Sequence, residues 1–128
     1  MHKSINPHNI GAPLARYSHA VEVAAGQRLL FCSGQLGFDA NGFVPPDAEA
    51  QADLCFDAIR LVLAEAGMEM GDIVRLNAFV TGREHLAAYM RSRDRHVATP
   101  PPASTLMIVS GFARPEFLVE VEAVAARQ

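Results

Sequence analysis

A chain of 128 residues has the size of one domain, 1–128, and buries enough surface to fold without disulfide or metal staples. Half of it is hydrophobic and its formal net charge is −3, so it offers no general attraction to nucleic acid or anionic membrane. Lys3 is the only lysine, and an amine so near the terminus is a poor candidate for Schiff-base chemistry. Two cysteines, Cys32 and Cys55, allow at most one disulfide; both lie in apolar runs and read as buried thiols. Residues 1–9 are polar and lack the apolar core of a secretory leader, and no apolar run approaches the ~20 residues of a membrane span. A cytoplasmic location without membrane contact is the expectation.

In chain order, residues 1–15 carry Pro7, Gly11 and Pro13 and read as an extended arm. Tyr17 to Ala24 fits a short strand, and Gly26-Gln27 marks a turn. Arg28 to Ser33 is a short apolar run of the kind found in buried strands. A loop is expected over Gly34 to Pro46. Asp47 can then cap a helix running to about Ala66, with Gly67 at its left-handed exit. Leu54, Ala58, Leu61 and Val62 make one apolar stripe of that helix, with Phe56, Ile59 and Leu63 beside it. Ile73 to Thr81 alternates: Val74, Leu76, Ala78 and Val80 point one way, Arg75, Asn77, Phe79 and Thr81 the other. A second helix, Glu84 to about His96, carries arginines on its outer side. Pro100-Pro101-Pro102 ends it and starts a strand at Ser104–Val109. The last strand, Phe117 to Ala125, puts Val119, Val121 and Ala123 on one face and Glu120, Glu122 and Val124 on the other.

The order β-β-α-β-α-β-β predicts an α/β (α+β) fold, a mixed sheet with two helices on one face. Apolar residues fall on both strand faces. Self-association is the simplest cover for the second one, which predicts a homo-oligomer.

Several residue types could carry chemistry. Glu120 and Glu122 share a strand face, about 7 Å apart at ~3.3 Å per residue. Within an oligomer interface, such a carboxylate could act as a base; on an open polar face it would be merely solvated. Ser33-Gly34 ends a strand, and Gly34 would let a ligand approach the backbone closely. Its neighbours lack the Gly-x-Ser-x-Gly elbow of a serine hydrolase. Cys32 has no adjacent base to activate it. His19 shares a strand face with Tyr17, and the five histidines form no metal-binding pattern. Arg83, Arg91, Arg93 and Arg95 could suggest an RNA patch, but Glu84 and Asp94 interrupt them and a solvated helix face explains them.

Taken together, Arg16-Tyr17-Ser18-His19-Ala20-Val21, Leu30-Phe31-Cys32-Ser33-Gly34-Gln35, Ala66-Gly67-Met68, Asp72-Ile73-Val74, Phe79-Val80-Thr81, Pro102-Ala103-Ser104 and Val119 to Ala125 occur in an order that resembles the RidA/YjgF family, also called the endoribonuclease L-PSP or translation-inhibitor family. The resemblance covers about residues 12 to 127. It implies a chorismate-mutase-like fold, a homotrimer and three inter-subunit clefts that bind small carboxylates. In the family's deaminases these clefts hydrolyse imines without metal or organic cofactor. Carried over, Tyr17, Ser33, Gly34 and Glu120 line the cleft and Glu120 orients the attacking water.

Three departures follow from the same resemblance. The arginine that holds the substrate carboxylate is replaced by Ser104, which offers one neutral donor in place of a charged fork. Charged hydrogen bonds contribute about 1.5–3 kcal/mol, so the replacement implies ten- to hundredfold weaker carboxylate binding. Ile108 stands where glutamate is common, and the second helix lacks an Asn-x-x-Tyr pattern. Arg16, then Arg75, are candidates to supply the missing cation. The readings in competition are a cofactor-independent hydrolase of imines, enamines or related C–N bonds, a non-catalytic small-molecule-binding or regulatory trimer, and an endoribonuclease or translation inhibitor.

Overall fold

In the computed structural model, which describes residues 2–128, six strands and two α-helices form among those residues. They are β1 (His2–Ile5), β2 (Ala20–Val23), β3 (Arg28–Leu36), α1 (Ala48–Glu65), β4 (Ile73–Val80), α2 (Leu86–His96), β5 (Ala103–Ile108) and β6 (Val119–Arg127). Four strands make the main sheet in the order β3-β6-β4-β5, with β4 and β5 parallel and the other pairs antiparallel. The predicted mixed sheet with two helices is therefore present.

The arm differs from its expectation. Its first residues form β1, which pairs antiparallel with β2. Four residues are too few to show an alternation, so only the partner reveals the strand. Ser18 anchors this ribbon to the main sheet: its N–H donates to Pro102 O at 2.9 Å and its Oγ to Pro101 O at 2.5 Å. The predicted strand from Tyr17 begins three residues later, because residues 17–19 make this single bridge and turn rather than a ladder.

α1 begins where its cap dictates, with Asp47 Oδ2 accepting from Ala50 N at 3.0 Å. Its buried stripe is Ala52, Cys55, Phe56, Ile59 and Leu63, spaced three and four apart. Leu61, assigned above to the apolar stripe, is 62% exposed. It lies two residues from both Ile59 and Leu63, about 200° around the helix from each. Phe56 stacks on His96 and Tyr89 of α2, so the two helices share one packing seam. Leu76, Ala78 and Val80 of β4 and Val119, Val121 and Ala123 of β6 meet them from the sheet. Burial pushes the Cys55 thiol up to about 12, consistent with an inert core thiol.

Gln51 ties the core to the turn before β6. It is fully buried, its Nε2 donates to Pro45 O and Glu116 O, and its Oε1 accepts from Leu118 N. Two of these bonds, to Glu116 O and from Leu118 N, hold the entry to the strand that carries Glu120.

Two bulges decide which residues face away from the helices. In β3, Ser33 and Gly34 together stand opposite a single residue of β6, Glu122. The strand continues through the bulge to Leu36, three residues into the predicted loop. In β4, the register shifts between Ile73 and Arg75, and Val74, though buried, stands outside the main core cluster and borders the recess beside Arg75. That corrects the simple alternation expected for Val74.

Candidate functional site

The sheet face away from α1 and α2 is uncovered. From β3 it bears Phe31, 73% exposed, and Ser33; from β6, Glu120, Glu122 and Val124; from β4, Arg75, Asn77 and Phe79; from β5, Thr105 and Met107. Apolar and ionisable side chains are thus interleaved on one surface.

At the β3 edge of this face, Glu120 packs against the backbone of Gly34. A Cβ built on Gly34 would lie 2.7 Å from Glu120 Cδ and 2.9 Å from its Oε2. The bulge and the missing side chain together make room for the carboxylate, so the glycine is required for close approach rather than for a turn. Partial burial raises the pKa of Glu120, and repulsion from Glu122 adds to the rise. Glu122 in turn is held by Asn77, whose Nδ2 donates to Oε1 at 3.0 Å. Phe31, Ser33, Asn77 and Glu122 border a shallow recess beside it.

At the β5 edge lies a second recess, bordered by His19, Val21, Val74, Arg75, Ala103 and Val124. Arg75 Nη2 donates to Thr105 Oγ1 at 2.8 Å. His19 Nε2 bonds Gly11 O at 2.8 Å, and its ring meets that of Tyr17 edge-on with centroids 6.0 Å apart. Tyr17 and His19 thus come together as expected.

The register separates other residues that the sequence reading grouped. Ser104 stands opposite Leu76, and Ile108 opposite Val80; both partners are fully buried under the helices. Ser104 and Ile108 therefore share the side of β5 opposite the open face. Ala103, opposite Arg75, is what the open face presents at the start of β5. Arg16 is engaged elsewhere: its Nη2 donates to Val97 O, Ala98 O and Thr99 Oγ1, fixing the exit of α2. Within one chain, Ser33, Gly34 and Glu120 form one group, and Tyr17, His19 and Arg75 another.

The α2 arginines are not a free basic patch. Arg91 pairs with Glu49, and Arg95 with Glu49 and Asp53, at 2.7–2.9 Å. Arg93 is buried, only 3% exposed, over the Tyr89 ring, which corrects its assignment to a solvated face. Among the described residues no three His, Cys, Asp or Glu side chains gather as a metal site, and no helix is long and apolar enough to cross a membrane.

Asn77, Phe31 and Thr105 were not singled out from sequence. The alternation of β4 already placed Asn77 and Arg75 on one face; what was missing was which face stayed open.

The Endoribonuclease L-PSP family profile matches residues 8–127. Among curated relatives, the chain is 31% identical to Protein DfrA of Myxococcus xanthus, over 96% of this chain and 94% of that protein. It is 29% identical to the 2-iminobutanoate/2-iminopropanoate deaminase of Escherichia coli K12 across the full length of both. Among solved structures, a Rid-family protein of unknown function, YyfB from Yersinia pestis, superposes with a TM-score of 0.82 at 30% identity, covering 98% of each chain.

Proposed function

The chain belongs to the Endoribonuclease L-PSP family, that of the RidA/YjgF proteins, and we propose that it is a homotrimer whose inter-subunit clefts bind a small metabolite and hydrolyse an imine, enamine or related C–N bond. The observation that carries this reading is the Glu120 carboxylate, lodged against Gly34 with its pKa raised by burial. A carboxyl whose pKa is raised is a stronger base than an ordinary carboxylate and so better suited to taking and returning a proton. Its oxygen would accept a proton from water as the water oxygen bonds to the imine carbon, while the nitrogen gains a proton. In the carbinolamine so formed, the hydroxyl proton passes by way of the Glu120 carboxylate to the amino nitrogen as C=O forms and the C–N bond breaks, releasing NH3. No metal or organic cofactor is needed for that balance.

Assembly follows from the face itself. Phe31 and Met107, 73% and 51% exposed, sit beside half-buried Phe79 and Val124 on a surface that a lone chain leaves wet. The two polar groups lie at opposite edges. Glu120 of β6 leans toward β3 and Arg75 of β4 toward β5; their strands are neighbours, and Glu120 pairs with Phe79, four residues or about 13 Å along β4 from Arg75. A head-to-tail ring of copies brings one edge against the other, and the family resemblance makes that ring a trimer.

A second reading is a non-catalytic trimer that only binds its metabolite. It is favoured by the register, which turns Ser104 away from the open face and leaves uncharged Ala103 at the start of β5. Ribonuclease action fits poorly, since Arg91 and Arg95 are paired with Glu49 and Asp53, and Arg93 is buried and paired with Asp94.

Ammonia release from freshly generated 2-imino acids separates these readings. Multiple turnovers by the wild type, reduced about 100-fold or more in Glu120→Gln at unchanged oligomeric mass, support the hydrolase. Equal turnover in both removes Glu120 from the chemistry, and no turnover with metabolite binding retained leaves the binding protein.

A further inference from the structure

We infer that Arg75 of β4, braced by Thr105, is the anion seat of this protein and holds the carboxylate of a small, otherwise apolar ligand. The inference rests on the cleft reading above and deepens it by assigning the group that recognises the ligand's charge.

Four observations converge. Arg75 rises from the open face into the recess at the β5 edge. Among the described residues its side chain has one hydrogen-bond partner, the neutral Thr105 Oγ1, and no carboxylate. The carboxylate that could have neutralised it from β6, Glu122, is turned to Asn77 instead. Ala103, its register partner on β5, is small and leaves the space above the strand clear.

The chemistry of the seat follows from these neighbours. A guanidinium has five N–H donors in a planar fork, and Thr105 engages one nitrogen. The remaining edge can accept both oxygens of a carboxylate in a bidentate pair. Bracing by Thr105 means the fork loses little freedom when the anion arrives. Val21, Val74, Val124 and Ala103 supply apolar walls on which a short aliphatic chain can lie. His19, its Nε2–H committed to Gly11 O, stands at the rim with the opposite ring nitrogen available to accept a hydrogen bond. Small size, one carboxylate and an aliphatic remainder describe the ligand class.

Adjacent strands are about 4.8 Å apart, so a long side chain at position 75 covers the same surface as one at its neighbour, position 103. The register puts uncharged Ala103 beside Arg75 and turns Ser104 to the other side of β5, so this face takes its cation from β4 rather than from β5.

Binding, measured apart from turnover, tests the seat. The probes are 2-oxobutanoate and its uncharged amide, titrated by calorimetry into wild type, Arg75→Gln, Arg75→Lys and Thr105→Val, each first checked for oligomeric mass. Wild type should bind the acid at least tenfold more tightly than the amide. Arg75→Gln should lose that preference, Arg75→Lys should keep part of it, and Thr105→Val should weaken it several-fold while the guanidinium remains. Glu120→Gln should bind the acid like wild type, so failure of the hydrolytic reading would leave the seat standing. The inference is overturned if wild type does not prefer the acid, or if Arg75→Gln and Thr105→Val both bind it unchanged. It is equally overturned if Arg75→Gln breaks up the oligomer while Thr105→Val leaves acid binding intact, since the guanidinium would then serve the interface.

Discussion

The helix-covered face of the sheet and its open face are made by the same strands, residue by alternate residue. On the covered side, Val119, Val121, Leu76, Ala78 and Val80 close on Phe56, Ile59 and Leu63 with essentially no exposure. On the open side, the same strands carry Glu120, Glu122, Asn77 and Arg75 among exposed Phe31 and Met107. The covered face does the work of folding, so the other is free to hold charges at the cost of needing a cover. Its two bulges, at Ser33-Gly34 and at Val74, exist on that account: each interrupts the ladder where a polar side chain must be aimed.

Changes on the two faces should therefore separate stability from activity. Phe56→Ala, on the covered face, empties the seam between the helices and should cost about 3–5 kcal/mol in a urea melt, while the surviving folded fraction keeps its turnover per site. Gly34→Ala, on the open face, should do the reverse. Its Cβ would intrude on the Glu120 carboxylate, and misplacement of a catalytic group by about 1 Å costs roughly 100-fold in turnover, with little change in the melt. If Gly34→Ala instead unfolds the protein and stays active per folded site, the division of labour is wrong. Phe31→Ser should weaken assembly by about 1.5–3 kcal/mol for each Phe31 that an interface buries, read as a concentration-dependent fall in mass by sedimentation.

The smallest effect is a pH shift. Glu120 titrates above its ordinary value, first through burial and then through Glu122. As a base it works when ionised, so turnover should rise as pH climbs through the raised pKa. Glu122→Gln removes one cause and should move that acid limb to lower pH. The linked stability has the opposite sense. A carboxyl raised in the folded state favours folding most below its unfolded pKa, and that contribution is lost as pH rises through the folded pKa. Glu120→Gln should therefore melt slightly higher than wild type at neutral pH.

The sequence made the covered face legible and the open face only half so. Period-two alternation in β4 and β6 sorts core from non-core residues directly, and Asp47 marks the start of α1. Alternation and family resemblance both single out Glu120, while its close packing against Gly34 depends on the β3 bulge. A linear motif does not reveal register, so it does not tell which side of β5 Ser104 and Ile108 take. Their pairing with Leu76 and Val80 is a property of β4, some thirty residues away in the chain. The partners of Arg16, Val97, Ala98 and Thr99, are hidden from the sequence for a similar reason, as they become its neighbours only after α2 has folded back. The strand at His2–Ile5 and the bulge at Val74 are likewise fixed by partners, and local composition does not announce them.

A mixing experiment tests most directly whether the two edges of the open face form one site only between copies. Glu120→Gln and Arg75→Gln chains, each inactive alone, are unfolded, mixed in equal amounts and refolded together. In a head-to-tail trimer, random assembly joins an intact Glu120 edge to an intact Arg75 edge at about one site in four. The mixture should recover about a quarter of wild-type ammonia release, while refolding the double variant with wild type should give no such gain over dilution. A mixture no more active than its two parents would contradict the account.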